Sequence, residues 1–315
     1  MSAADHDVAS QNVAAPAGLN CLTFDVEDWY HLSGEQIRGH GALRPDVLAR
    51  QLDRVLGLLA EHRARATFFC LGSSLAGAPE LVRRIVGAGH EVGTHGWAHQ
   101  PIAEIGLPAF QADLRRSLNW LQDLLGRPVL GYRAPAFSVA PAQLQGFYDI
   151  CFEAGLAYDS SVFPIRGARY GIPDAPLAPH VVREAEGRRL VELPLATLEW
   201  RGRRRPVAGG GYWRLLPGWL VDAAITRVNR TGRPMVTYLH PYEFDSVSLS
   251  AIAAAGWSRR SLKHQVRQNL RRRSMYGKLN RLLARHRFVA AEDWLRAAGW
   301  LQATTTPSGD ARARA

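Results

Sequence analysis

The chain has 315 residues, of which 47% are hydrophobic and 21% charged, ordinary values for a soluble globular protein with enough chain to bury a full core. No apolar run approaches the ~18 residues of a membrane span, and the polar start around Asp5 and Asp7 lacks the basic and apolar regions of a secretory signal. A net charge of +11 raises nucleic acid and membrane partners, but no zinc-finger spacing, helix-turn-helix pattern or RNA-binding aromatic motif supports nucleic acid.

In chain order, residues 1–18 lack periodicity and read as a disordered leader. Leu19–Asp25 is a short apolar run, a buried strand. Asp46–His62 carries apolar residues at helical spacing, Ala66–Leu71 reads as the next strand, and Pro79 opens a helix that Gly87 and Gly89 end. A strand at Glu91–Thr94, a helix at Pro108–Leu125, a strand near Val129–Arg133 and a helix at Pro141–Ala154 follow. Strand and helix alternating at this tempo predict parallel strands with crossover helices, whose ligands sit at the carboxyl ends of the strands.

The rhythm breaks between about residues 160 and 215, where Pro, Gly and Arg predict long loops with short strands at Leu190–Pro194 and Leu198–Trp200. It resumes with a helix at Gly218–Asn229, a strand at Met235–His240, a basic helix at Ser261–His286, a strand at Phe288–Ala291 and a helix at Asp293–Ala298. The tail, 301–315, reads as disordered. Residues 19–300 are therefore expected to form one domain, with about 200–300 as a distinct C-terminal part.

Cys21, Cys70 and Cys151 are scattered and odd in number, which predicts buried reduced thiols and a cytoplasmic setting. Positive charge gathers at Arg201–Arg205 and between Arg259 and Arg287, including Arg271–Arg273. Two readings stay open: a solvated helical face with a basic loop, or a surface for acidic lipid headgroups or a lipid-linked acidic glycan, which would make the protein membrane-peripheral.

Metal-competent residues appear where strands should end. The first strand runs into Asp25, Glu27 and Asp28; in an extended chain Asp25 and Glu27 share a face, whereas Asp28 shares it only if the chain bulges or turns. His95 and His99 lie four apart, on one face of an expected helical turn and within reach of one ion, and imidazole suits zinc and other late divalent metals. His90, in the turn before its strand, reads as structural. His240 ends a late apolar strand and suits a general acid because its ordinary pKa lies near neutrality. Arg133, beside the Pro135 turn, could clamp a carboxylate. Two imidazoles and a carboxylate would leave coordination positions open, as hydrolytic metal sites require.

With Thr23-Phe-Asp-Val-Glu-Asp28 near the start and Leu239-His-Pro-Tyr-Glu-Phe-Asp245 near the end, the chain resembles the polysaccharide deacetylases of carbohydrate esterase family 4. The likeness extends over about residues 20–300 and is to the branch found with exosortase and exopolysaccharide clusters. It implies a distorted (β/α) barrel and a metal-dependent removal of N-acetyl groups from a carbohydrate. Asp25 would be the base, His95 and His99 metal ligands, Arg133 the restraint on the base, and His240 the general acid. The backbone around Phe137 would help hold the oxyanion, and Asp159 would orient His240. The family's usual second aspartate is Val26 here, so the carboxylate ligand must be Glu27 or Asp28; the facing argument favours Glu27. A related branch hydrolyses small ring amides, as allantoinase does, and a non-catalytic glycan-binding relative is the third reading. Trp29, Tyr30, Trp97, Tyr132 and Trp213 are candidates for stacking on sugar rings, with Gly209–Trp213 as a substrate-facing loop.

Overall fold

The computed structural model describes residues 16–27, 45–167, 170–245, 247 and 269–301. Asp28, Trp29, Tyr30, most of the expected leader, nearly all of the tail and residues 261–268 of the expected basic helix lie outside the described residues.

The first strand is two strands. β1 (Leu19–Cys21) pairs in parallel with β11 (Arg287–Val289), whereas β2 (Thr23–Val26) pairs in parallel with β3 (Thr67–Cys70). The chain changes neighbour at Leu22, so the apolar run is continuous in sequence but not in hydrogen bonding. β3 is followed in the same sheet by β4 (Glu91–Thr94), β5 (Gly131–Tyr132), β6 (Tyr158–Asp159), β8 (Arg188–Glu192) and an antiparallel edge, β7 (His180–Ala185). β9 (Thr197–Trp200) and β10 (Arg203–Pro206) form a separate hairpin. β7 and β10 fall in the region read as loop; both are edge strands with polar, partly exposed residues, so no apolar run marks them.

Helices cover the sheet. α1 (Pro45–Glu61) and α3 (Pro79–Gly87) bury one apolar face each, and the short α2 (Gly72–Leu75) lies between β3 and α3. α4 (Ile102–Leu125) starts a turn earlier than Pro108 suggests. Gly106, at φ 76°, breaks the helical path and lets the chain restart before Pro108. α5 (Leu144–Glu153), α6 (Gly211–Leu215), α7 (Gly218–Asn229), α8 (Met275–Arg285) and α9 (Ala291–Ala297) complete the layer. One hydrophobic core runs through these elements from Leu19 to Ala298. Among the described residues, no helix is long and apolar enough to cross a membrane.

The expected barrel does not close. Residues 235–239 do return beside β1 and β2: Cys21 N–H donates to Met235 O at 3.0 Å, Leu239 N–H to Thr23 O at 3.0 Å, and Asp25 N–H to Leu239 O at 2.8 Å. The ladder is broken where two threonines meet. Thr23 N–H donates to the Thr237 hydroxyl at 3.1 Å, and the Thr23 hydroxyl donates to the Thr237 carbonyl. A side chain there takes the place of a backbone partner, so only isolated bridges, Cys21 to Val236 and Phe24 to Leu239, join this segment to β1 and β2, and the seven-stranded sheet is open. On its other side this segment meets the 196–209 chain, with Tyr238 N–H on Ala208 O at 3.0 Å. Gly209, at φ 138°, is required at that crossing, since a Cβ there would stand 2.3 Å from Tyr238 O.

Candidate functional site

Four strands of the parallel set, β2, β4, β5 and β6, deliver polar residues at or just past their carboxyl ends. β2 presents Asp25 and then Glu27, β4 leads into His95, β5 into Arg133, and β6 into Ser160 and Ser161. Because the strands are parallel and in register, these ends share one rim of the sheet.

Glu27, His95 and His99 converge. One ligand atom from each lies within 4.8 Å of the others, which makes them a group able to hold a metal ion. Glu27 Oε2 is 3.9 Å from His95 Nε2 and closer still to His99 Nε2. The same oxygen is buried without a hydrogen-bond donor, the condition expected of a carboxylate atom shaped for a cation. His95 Nδ1–H donates to Arg133 O at 2.8 Å, which fixes the tautomer and leaves Nε2 for a metal. The donor set, buried nitrogen with a carboxylate, fits zinc or a similar divalent ion.

The turn that brings the two histidines together is held from outside. Gly96 adopts φ 77°, and Trp97 N–H and Ala98 N–H donate to the two carboxylate oxygens of Asp113 at 2.7 and 2.9 Å. A Cβ at residue 96 would stand 2.7 Å from that carboxylate. His99 is itself at φ 54°, a conformation costly for a residue with a side chain and one found at functional sites.

Electrostatics follow from this crowding. Burial pushes the Glu27 carboxyl up, but the imidazoles of His99, His240 and His95 outweigh it and hold it well below its usual range. Burial holds His95 below its ordinary value, against the opposing pull of Asp25 and Glu27, so it stays neutral, the form that ligates metal. Burial also works against the charged form of His240, yet the carboxylates of Glu243 and Glu27 push it up to about 10.

Asp25 stands beside this group under a different constraint. Its Oδ1 accepts from Arg133 Nη1 at 2.9 Å. The guanidinium is fully buried, donates to Ser160 O at 3.0 Å and Ser160 Oγ at 2.9 Å, and lies 4.3 Å over the Phe69 ring. The following turn is strained: Ala136 and Phe137 are both at φ 52°.

His240 Nε2 lies 3.3 Å from Glu27 Oε1, so the carboxylate faces His240 on one oxygen and the His95–His99 pair on the other. The expected partner of His240 is corrected. Asp159 is engaged with Ser161, accepting from its hydroxyl at 2.6 Å and its N–H at 3.0 Å, and with Glu192 across the sheet. The residue against His240 Nδ1 is Glu243, at 3.5 Å. The signal for it was present: a lone Glu three residues after the histidine, between two aromatics, in an otherwise apolar stretch.

The aromatic candidates divide. Tyr132 and Trp213 are fully buried, Trp213 with its N–H on Val207 O at 2.8 Å; both are core residues and offer no stacking face. Phe137 is buried among Phe163, Tyr170 and Tyr238. Trp97 is half-buried under the Arg116 guanidinium, 3.9 Å from its ring. Gly209 and Gly210 serve the close passage beside Tyr238.

Residues 21–145 match the family model described as Polysaccharide deacetylase, and residues 160–296 match one described as Domain of unknown function (DUF3473). A peptidoglycan deacetylase of Helicobacter pylori is 33% identical over 128 residues, 38% of this chain and 41% of that protein, so the chain spans less than half of that relative. Two solved structures share the fold. A probable polysaccharide deacetylase from Pseudomonas aeruginosa PAO1 is 14% identical at TM-score 0.56, over 89% of this chain and 90% of that one. Puue allantoinase is 13% identical at TM-score 0.55, with the same coverage of 89% and 90%. Family model and curated relative together support the polysaccharide deacetylase family for residues 21–145, within a fold that the solved structures share over nine-tenths of the chain.

Proposed function

We propose that this chain is a metal-dependent hydrolase that removes N-acetyl groups from N-acetylhexosamine units of an exopolysaccharide or its lipid-linked precursor. The observation that carries the reading is the division of Glu27 between the His95–His99 pair and His240, next to an Asp25 held by Arg133. Glu27, His95 and His99 would hold the metal, zinc by donor chemistry, and it would supply Lewis acidity towards a water and the acetyl carbonyl.

The chain's own residues carry the proton movements. Asp25, restrained by Arg133, accepts a proton from the attacking water. His240 enters charged and gives its proton to the departing amine, without which an amide does not cleave. The backbone of the strained Ala136–Phe137 turn is assigned to the developing oxyanion. Trp97 remains the described aromatic assigned to sugar contact.

Buried free thiols at Cys21, Cys70 and Cys151 support a cytoplasmic setting. A peripheral contact with acidic lipid is supported by exposed Leu215, whose carbonyl accepts from Arg271, by exposed Leu270 next to Arg271 in sequence, and by exposed Trp219.

Acetate release from a panel of N-acetylated oligosaccharides, with and without a chelator, tests the reading. Activity is expected to need metal, and His95→Ala and His99→Ala should lose both metal and acetate release. The allantoinase-like reading is favoured by the shared fold with Puue allantoinase. Chelator-resistant hydrolysis of a cyclic amide would establish it instead. Glycan binding indifferent to Asp25→Ala, with no acetate from any substrate, would mean a non-catalytic relative.

A further inference from the structure

Four buried charged side chains form a row that ends at the candidate site. Arg214 Nε lies 3.1 Å from Glu243 Oε1, Glu243 Oε2 lies 3.5 Å from His240 Nδ1, and His240 Nε2 lies 3.3 Å from Glu27 Oε1. Arg214 is 5% exposed and Glu243 not at all. Charges are rarely taken so far from water unless their pairing is used.

The supports of this row exceed what a turn needs. Glu243 sits on the 3-10 turn Pro241–Phe244, and its Oε2 also accepts His240 N–H at 3.1 Å, so one carboxylate grips both the backbone and the ring of the same histidine. The turn is clamped from two sides. Arg54 of α1 donates to Phe244 O at 2.9 Å, and the buried Arg272 donates to Tyr242 O at 2.7 Å and Asp245 O at 2.9 Å. Arg214 is placed by α6, whose carboxyl end is held by Lys278; its buried Nζ donates to Trp213 O and, at 2.7 Å, to Leu216 O. These contacts converge on the turn that carries His240 and, through its ring, on Glu27.

We infer that the Arg214–Glu243 pair is a positioning device for His240. It holds the ring with Nδ1 on Glu243 and Nε2 directed into the site, and so makes the segment 160–296 the supplier of the proton-donating side of the reaction. This rests on the deacetylase reading and deepens it. Glu27, His95 and His99 come from residues 21–145, whereas Arg214, His240 and Glu243 all come from residues 160–296, the part matched by the family model described as Domain of unknown function (DUF3473). Nδ1 faces the Glu243 carboxylate at 3.5 Å, an ion contact rather than a hydrogen bond, and Nε2 faces Glu27 at 3.3 Å, so the ring keeps one orientation with Nε2 as the nitrogen that meets the leaving group. Arg214 keeps the carboxylate charged and stops it rotating towards the metal ligands.

The test separates positioning from mere structural support by varying the leaving group. Departure of an amine needs a proton, whereas departure of a 4-nitrophenolate does not. Glu243→Gln and Arg214→Lys, both conservative enough to keep the turn, are compared with wild type on an N-acetylated oligosaccharide and on 4-nitrophenyl acetate. Metal content and melting temperature are followed in parallel. The expected result is at least a tenfold loss of kcat on the amide, little change in KM, less than threefold change on the ester, and metal content retained. Equal losses on both substrates, or no loss on the amide, would overturn the inference.

A second readout does not depend on turnover. Nitrogen NMR of histidine-labelled protein, with the His240 signal identified through His240→Gln, should show Nδ1 protonated in wild type and altered in Glu243→Gln. An unaltered His240 signal would overturn the inference. If wild type releases no acetate from any substrate, the deacetylase reading fails while the NMR result still decides whether Glu243 positions His240.

Discussion

Asp113, on helix α4, accepts the backbone N–H of Trp97 at 2.7 Å, and with the neighbouring bond to Ala98 it fixes the turn on which both candidate metal-binding histidines depend. His95 and His99 are four residues apart but lie on no helix; the backbone there has positive φ at Gly96 and His99. Gly72 N–H and Ser73 N–H hold the same turn through Gly96 O and Trp97 O, both at 2.9 Å, and Asp113 adds the charged acceptor that grips two of its N–H groups. Asp113→Ala is therefore expected to weaken metal binding by about 10–100-fold, the usual cost of losing an outer support of a metal site. Competition against a chromophoric chelator measures it, and unchanged affinity would remove the staple from the account.

Asp25 and Glu27 leave the same strand yet have separate partners, so their variants should fail differently. Asp25→Asn is expected to keep the metal and lose turnover by a factor on the order of 10²–10⁴, the range for a missing general base. Metal analysis alongside acetate release checks this; loss of metal in Asp25→Asn would make Asp25 a ligand instead.

Arg133 is fully buried, and its removal would strand the Asp25 carboxylate as well as two acceptors on Ser160. Arg133→Met should cost about 3–5 kcal/mol of stability, in the range for breaking a buried pair. Urea unfolding would show it, and a cost below 1 kcal/mol would mean that the network relaxes around the change.

His90 and Glu91 predict opposite pH slopes. Burial, helped by Arg65, lowers the His90 imidazole from 6.5 to about 4. A neutral histidine favoured by folding contributes fully above about 6.5 and loses that contribution as pH falls through about 4. Burial, helped by Glu292, raises the Glu91 carboxyl from 4.5 to about 7, so its contribution is complete below 4.5 and is lost as pH rises through about 7. In the wild type the two slopes offset each other. Each is worth about 3 kcal/mol across its window. Glu91→Gln should leave stability rising from pH 4 to 6.5, and His90→Asn should leave it falling from pH 4.5 to 7. Melting temperatures measured across that range decide it; parallel profiles for the two variants would refute the assignment.

The exposed indole of Trp219, 69% accessible, stands on α7 beside the cationic α8 surface, where a Cβ on Gly218 would come 3.5 Å from the Arg281 guanidinium. Trp219→Ser is expected to lower binding to anionic vesicles several-fold at low salt without changing the melting temperature, as measured by co-sedimentation. Equal binding by both proteins would move the lipid contact elsewhere or abolish it.

Much of this protein was legible in its residue order. Apolar runs bounded by Gly and Pro located β3, β4, α1, α3 and α7 to within a few residues, because burial of one face imposes a local period. The same locality exposed Asp25, Glu27 and His240 as polar residues ending apolar strands, and His95 and His99 as a pair. Only tertiary structure decided the rest. Asp113, Arg214 and Lys278 look like ordinary helix residues until the elements they join are packed, and Asp159 turned to Ser161 and Glu192 while Glu243 took its expected place beside His240. Thr23 and Thr237, more than 200 residues apart, interrupt with their hydroxyls the backbone ladder between β2 and residues 235–239, which no local pattern reports. Periodicity reports which face a residue buries; which distant group it meets there is set by the path of the whole chain.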